Sequence, residues 1–210
     1  MIATIDFIED LQEELKAQKN DTQKVFKESA DRLLNSTIDL DGKKFELTEI
    51  EFYYFNCENH PDTYVHLDPI QKEKNKFYVH KKLWDRSGMD LTFGNGKYFG
   101  GILIRGIKVG DTFVAGPATV KEEIASWFNI TKDEGNKELE NKLNSIKHSF
   151  IENTEKKDIA VSVRVGLTAD KDKEFANKKY RFARSDYLDD TTFYTRRNLK
   201  EITKLQQSLK

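Results

Sequence analysis

Apolar residues recur along this chain with two periods, and the switch between them orders its elements. Across residues 5–18, Phe7, Ile8, Leu11 and Leu15 fall on one helical stripe. Residues 22–35 repeat the pattern with Val25, Phe26, Ala30, Leu33 and Leu34 inward and Thr22 as the expected cap. The Asp41-Gly42 pair marks a turn, after which the period drops to two. From Lys44 to Phe55 the odd positions Phe45, Leu47, Glu49, Glu51 and Tyr53 share one strand face, while the even side is apolar from Ile50 through Phe52.

The stretch 56–76 is polar and irregular, with His60, Pro61, His66 and Pro69. Short strands are expected at 77–80 and 90–93, separated by a loop at 85–88 and followed by a turn at Gly94-Asn95-Gly96. The clearest buried strand runs from Gly101 to Ile107. Gly110-Asp111 turns the chain, and Gly116-Pro117 opens a helix to Phe128, with proline where its missing N–H is harmless. A helix is expected over 139–150, strands over 159–167 and 179–183, and a polar helix from Thr195. Helices first, then strands mixed with helices, define an α+β chain. The expected division is an N-terminal helical arm, 1–20, and a main domain, 21–210.

Composition narrows the class without naming it. The chain has 210 residues, 34% charged and 37% hydrophobic, enough for one real core. No segment reaches the roughly 18 consecutive apolar residues of a membrane span. The start lacks a basic segment followed by an apolar run, so no signal peptide is expected. A single cysteine, Cys57, forms no internal disulfide and suits a reducing, cytoplasmic setting. The net charge of −1 does not advertise nucleic-acid binding. Any such surface must come from local clusters: Lys72, Lys74, Lys76, Lys81 and Lys82; Lys178, Lys179, Arg181 and Arg184; Arg196 and Arg197.

Paired-cysteine zinc patterns, phosphate loops, dinucleotide fingerprints and nucleophile elbows are absent from the sequence, so no metal or cofactor is expected. What stands out is polarity inside apolar strands. Glu49 and Glu51 lie on one face with Tyr53, where burial raises a carboxylate toward general-base use unless it is paired. Arg105, with Leu103 and Ile107 beside it, needs an anionic partner, either a strand carboxylate or a bound phosphate. These residues alone leave a structural ion pair and a catalytic site equally open.

Read in order, short motifs resemble the alkyladenine DNA glycosylase family. Ala30-Asp31-Arg32-Leu33-Leu34-Asn35 resembles its Ala-Arg-x-Leu-Leu-Gly helix, and Glu49-Ile50-Glu51-Phe52-Tyr53 its Glu-Thr-Glu-Ala-Tyr strand. Tyr78-Val79-His80, the stretch Gly88 to Asn95, Ile102-Leu103-Ile104-Arg105-Gly106, Gly116-Pro117, Val163-Arg164-Val165-Gly166-Leu167 and Tyr180-Arg181-Phe182 follow in matching order. The similarity covers roughly residues 30–184. It implies a curved, mostly antiparallel sheet flanked by helices. It implies a monomeric, metal-free enzyme that flips an alkylated or deaminated purine from damaged duplex DNA and hydrolyses its glycosidic bond.

In that reading Glu51 activates water, Arg105 and the Val165 carbonyl orient it, and His66 helps the base leave. Tyr53, His80 and Asn95 hold the base. Leu83, Trp84 and Arg86 stand where the family wedges into DNA, and Gly116, Thr119 and Arg181 meet the DNA backbone. The segment Lys81 to Arg86 looks enlarged, and His80 replaces an expected aromatic wall. Two alternatives stay open: a catalytically silent nucleic-acid- or purine-binding module of the same fold, and an unrelated hydrolase using Glu49 and Glu51, about 7 Å apart, as an acid/base pair.

Overall fold

The computed structural model describes residues 6–18, 21–189 and 206–207. Two capped helices open it. In α1 (Phe7–Ala17) and α2 (Thr22–Leu34) the carboxylates of Asp6 and Asp21 accept from the amides of Glu9 and Lys24. Asp21 therefore caps α2, and Thr22 is its first helical residue. The apolar stripes of both helices enter the main core, where Phe26 stacks on Phe52 with centroids 4.4 Å apart. Gln12 ties α1 to the carbonyls of Phe93 and Gly94. The segment expected as an arm thus packs as part of one domain.

Ten strands form the sheet: β1 (Ser36–Leu40), β2 (Lys43–Asn56), β3 (His60–Pro61), β4 (Lys74–Val79), β5 (Met89–Phe93), β6 (Phe99–Val109), β7 (Thr112–Ala115), β8 (His148–Glu152), β9 (Ile159–Ser162) and β10 (Arg181–Arg184). The order is β4-β5-β6-β2-β1-β8, with β3 and β10 on β2, β9 on β10 and β7 on β6. All these pairings are antiparallel. Asp41 and Gly42 both take positive φ (54° and 84°), which suits a tight hairpin between β1 and β2. Among the described residues, further α-helices are α3 (Pro117–Trp127), α4 (Gly135–Ser145), α5 (Lys173–Ala176) and α6 (Ser185–Asp189). No described helix is long and apolar enough to cross a membrane.

The centre of the sheet departs from simple alternation. Leu47 pairs with Ile107, Glu49 with Gly106, and Ile50 with Ile104. Thr48 of β2 and Arg105 of β6 are stepped over, so each strand carries one extra residue. A bulge of this kind reverses which parity faces inward. On β2 the core takes Phe45 and Leu47, then Ile50, Phe52 and Tyr54; on β6 it takes Ile102 and Ile104, then Ile107. The expectation that Phe45 and Leu47 share a face with Glu49, Glu51 and Tyr53 therefore fails, as does the pairing of Arg105 with Ile107. Gly106 makes the crossing possible: a Cβ there would sit 2.6 Å from Thr48 Oγ1.

Other boundaries also moved. The helix expected over 139–150 is α4, and Phe150 lies instead in β8 opposite Ile38. The strand expected over 159–167 stops at Ser162, because Arg164 turns inward to a buried ion pair with Asp62. The helix expected from Thr195, with Arg196 and Arg197, lies outside the described residues.

Candidate active-site cleft

A cleft of about 1280 Å³ opens on the face of the sheet opposite the main core. Its floor is the polar face that the paired bulge creates. Glu49 Oε1 accepts from Arg105 Nε at 2.6 Å and Arg181 Nε at 2.8 Å, and its Oε2 accepts from Tyr187 Oη at 2.9 Å. Burial disfavours the Glu49 charge, but the two guanidiniums and the hydrogen bonds outweigh it and hold the carboxyl down at about pKa 2. Glu49 is thus a fixed anion, unsuited to giving or taking a proton near neutrality. Burial opposes the charge on Arg105 as well; Glu51 and Glu49 overcome it and raise its pKa.

Glu51 lies one layer beneath the cleft surface, fully buried. Its Oε1 accepts from the Val165 amide at 2.8 Å and lies 3.5 Å from Arg105 Nε. Its Oε2 accepts from Tyr53 Oη at 2.9 Å. Val165 meets Glu51 through its N–H and lines the cleft just before the turn at Gly166, where φ is 76°. Burial and then the Glu51 charge push the Tyr53 phenol well up, so it stays a donor.

Tyr53 lines the cleft, and one of its ring faces is already occupied. The Arg164 guanidinium lies 4.5 Å from the ring centroid and 5.5 Å from that of Tyr180. Arg164 is completely buried. It donates to Asp62 at 2.7 Å and to the carbonyls of Phe52 and Phe175, while its Nε has no hydrogen-bond partner among the described residues. A stacked guanidinium of this kind favours the ring face by about 2 kcal/mol when desolvated, and it braces Tyr53 against the strand.

Another part of the lining comes from the end of β4 and from β5. His80 Nε2 donates to Asp90 Oδ1 at 2.7 Å, and Gln71 Nε2 donates to Asp90 Oδ2 at 3.1 Å. The His66 ring meets His80 edge-on at 4.6 Å, and its Nδ1 is 3.2 Å from Tyr78 Oη. Although His66 is exposed overall, packing of its ring out of water and then repulsion from His80 hold its pKa below 6.5.

The structure brings Tyr53, His66, His80, Arg86, Arg105, Gly116, Thr119, Val165 and Arg181 to this one cleft. Three assignments change. Asn95 is exposed in a turn, accepts from the amides of Lys97 and Tyr98, and is absent from the cleft. Arg181 is buried against Glu49 and cannot reach a DNA backbone. Trp84 is pinned: Lys121, itself buried, stacks 3.6 Å from its ring centroid and donates to its carbonyl and to Ser87 Oγ. Burial pushes the Lys121 amine down to about 8, against the pull of Glu122 and Asp85. Leu83 beside it is 71% exposed. The basic clusters also shrink, since Lys74 pairs with Glu9, Lys81 with Asp68, Lys178 with Glu174, and Arg184 with Glu46 and Asp186. Cys57 is exposed.

Sequence reasoning missed Asp90, Gln71, Tyr187 and Lys121. Asp90 left a signal, because it is a charge between Met89 and Leu91, whereas Lys121 sits beside Glu122 and Glu123 and reads as solvated surface. Gln71 and Tyr187 lie in stretches with no period, and only tertiary contact reveals them.

No family model matches the chain. It is similar to an uncharacterized protein of Acanthamoeba polyphaga mimivirus, with 35% identity over an alignment of 130 positions that covers 51% of this chain and 59% of that protein. The chain thus spans less than two thirds of that relative's length.

Proposed function

We propose that the cleft receives a purine flipped out of duplex DNA and that the chain hydrolyses its N-glycosidic bond. The observation that carries this reading is the stacking of functions in one cleft. A braced tyrosine and a histidine line the same cleft, above a buried carboxylate that Arg105 adjoins. A flipped base slides in against such rings. Glu51, bonded by the Val165 amide, the Tyr53 hydroxyl and Arg105, takes the proton from a water aimed at C1′. Leu83, exposed on the 81–88 loop that Lys121 anchors, supplies the wedge, since Trp84 is held down. Lys82, Arg86 and the start of α3 at Gly116 border the cleft and face the phosphates.

The Glu49–Glu51 acid/base pair is the weaker reading, because Glu49 is locked as an anion by two arginines and a tyrosine. A silent purine- or nucleic-acid-binding module has a specific observation in its favour: Glu51 is fully buried and both of its oxygens already accept hydrogen bonds. Turnover separates the two. Purified protein is incubated with duplexes carrying hypoxanthine or 3-methyladenine, and free base is measured. Release by wild type that Glu51→Gln abolishes supports hydrolysis. Tight binding of the damaged duplex by both proteins without release supports the silent module.

A further inference from the structure

Two large apolar side chains stand in solvent among the described residues: Leu83 and, 44% exposed, Leu67. Scattered exposed leucines are ordinary, but these two sit on joined loops at the cleft. His66 and Lys82, each next in sequence to one of them, both line it. Lys81 pairs with Asp68 at 2.5 Å, and the His66 and His80 rings meet at 4.6 Å, so the loops are tied together. Side chains from the body of the protein fix both backbones. Asn136 donates to the carbonyls of His80 and Lys82, and Lys121 donates to that of Trp84. Gln71, itself buried, accepts from the Asp68 amide and donates to the Asp90 carboxylate. Leu67 also holds φ at 55°. A left-handed backbone strains a leucine, whereas glycine or asparagine adopts it readily. The turn by itself calls for no leucine.

We infer that Leu67 is a second prong beside Leu83, and that the two enter duplex DNA as a pair when a base is flipped. The inference rests on the reading of the cleft as the site of a flipped base. An extruded nucleotide leaves a gap in the stack, and apolar wedges such as leucine hold it open. Leu83 alone is aliphatic and offers no flat ring to the orphaned neighbours. A second leucine from the adjoining loop adds apolar surface to the same gap. Lys82 and Arg86, which border the cleft on the Leu83 loop, meet the flanking phosphates. Because both loops are fixed before DNA arrives, inserting the prongs costs little further ordering. The strain at Leu67 fits this role, since strained residues gather at ligand clamps that the surrounding structure holds in place.

The test uses the whole chain and a duplex carrying hypoxanthine beside 2-aminopurine. Fluorescence reads the distortion, single-turnover release of hypoxanthine reads the chemistry, and urea unfolding reads the fold. Leu67→Gly keeps the turn and removes the prong, and Leu67→Asn keeps the turn and makes the prong polar. Each is expected to lower the fluorescence rise and the release rate about tenfold, with an unfolding midpoint no lower than that of wild type. Leu67→Met returns an apolar side chain and is expected to stay within about twofold of wild type. Wild-type distortion in both Leu67→Gly and Leu67→Asn, beside a loss in Leu83→Ala, leaves a single wedge and overturns the inference while the hydrolase reading stands. A loss that comes with a lowered unfolding midpoint in both variants makes Leu67 a structural residue and overturns it too. Distortion by wild type without release, reduced in both variants, fails the hydrolase reading and keeps the prongs. Wild type that does not distort the duplex removes the flipped-base reading and the prongs with it.

Discussion

The floor and the histidine wall of the cleft treat charge in opposite ways. On the floor, Glu49, Arg105, Arg181 and Tyr187 bond to one another, and the Glu49 carboxyl is held down at about pKa 2. On the wall, Asp90 holds one nitrogen of His80 and leaves the other to the cleft. The floor is a scaffold built of ions, and the wall holds a single carboxylate between a histidine and a glutamine. Buried ion pairs are weak evidence of net stability, yet removing one partner is severe because the other charge is stranded.

The sharpest way to break this contrast is to strand a floor charge. Glu49→Ala leaves Arg105 and Arg181 facing each other and is expected to destabilise by about 3–5 kcal/mol in urea unfolding, as is Asp62→Ala beneath Arg164. A loss under about 1 kcal/mol would mean the floor is not an ionic scaffold. Next in size is Glu51→Gln. It keeps a side chain of the same shape and is expected to lower base release by about 10²–10⁴-fold with the fold retained, as read by circular dichroism and single-turnover assay.

Acid titration sharpens the comparison further. Glu49 has its folded pKa lowered to about 2 from 4.5, so the stability it contributes is present above pH 4.5 and is lost as pH falls toward 2. Thermal unfolding of wild type should weaken across that window, and a Glu49→Gln background should lack this component. The smallest effects belong to the exposed loops. Leu67 holds φ at 55°, so Leu67→Gly is expected to stabilise by about 1 kcal/mol if the loop keeps that turn. Leu83→Ala should stay within about 0.5 kcal/mol in stability while weakening DNA distortion, read by 2-aminopurine fluorescence beside the lesion.

The elements with a strong period were legible in the sequence. Both opening helices, β2, β6 and the helix begun by Gly116-Pro117 lie where periodicity and turn chemistry put them. The site was half legible. Glu51, Tyr53, His80 and Arg105 stood out as polar residues on apolar strands; Tyr53, His80 and Arg105 line one cleft, and Glu51 lies buried beneath it. Their layering was hidden, because a one-residue bulge leaves no periodic trace in a strand that is buried on both faces. Charge pairing was equally hidden: Arg181 read as a candidate for the DNA backbone, and its partner Glu49 is 132 residues away. Asn95 misled because a turn asparagine and a base-binding one look alike without geometry.

The stepped-over pair Thr48 and Arg105 makes the chemistry separable from the architecture. Deleting one residue from each of two neighbouring strands would restore an unbroken ladder, since Leu47 and Ile107 already lead directly into the frame of Ile50 and Ile104. The core would keep its layers, while the arginine over Glu51 would be gone. Under the proposed function, the capacity for reaction is written partly as a length. A chain of the same shape could shed or gain it through a matched insertion rather than through any change of side chain.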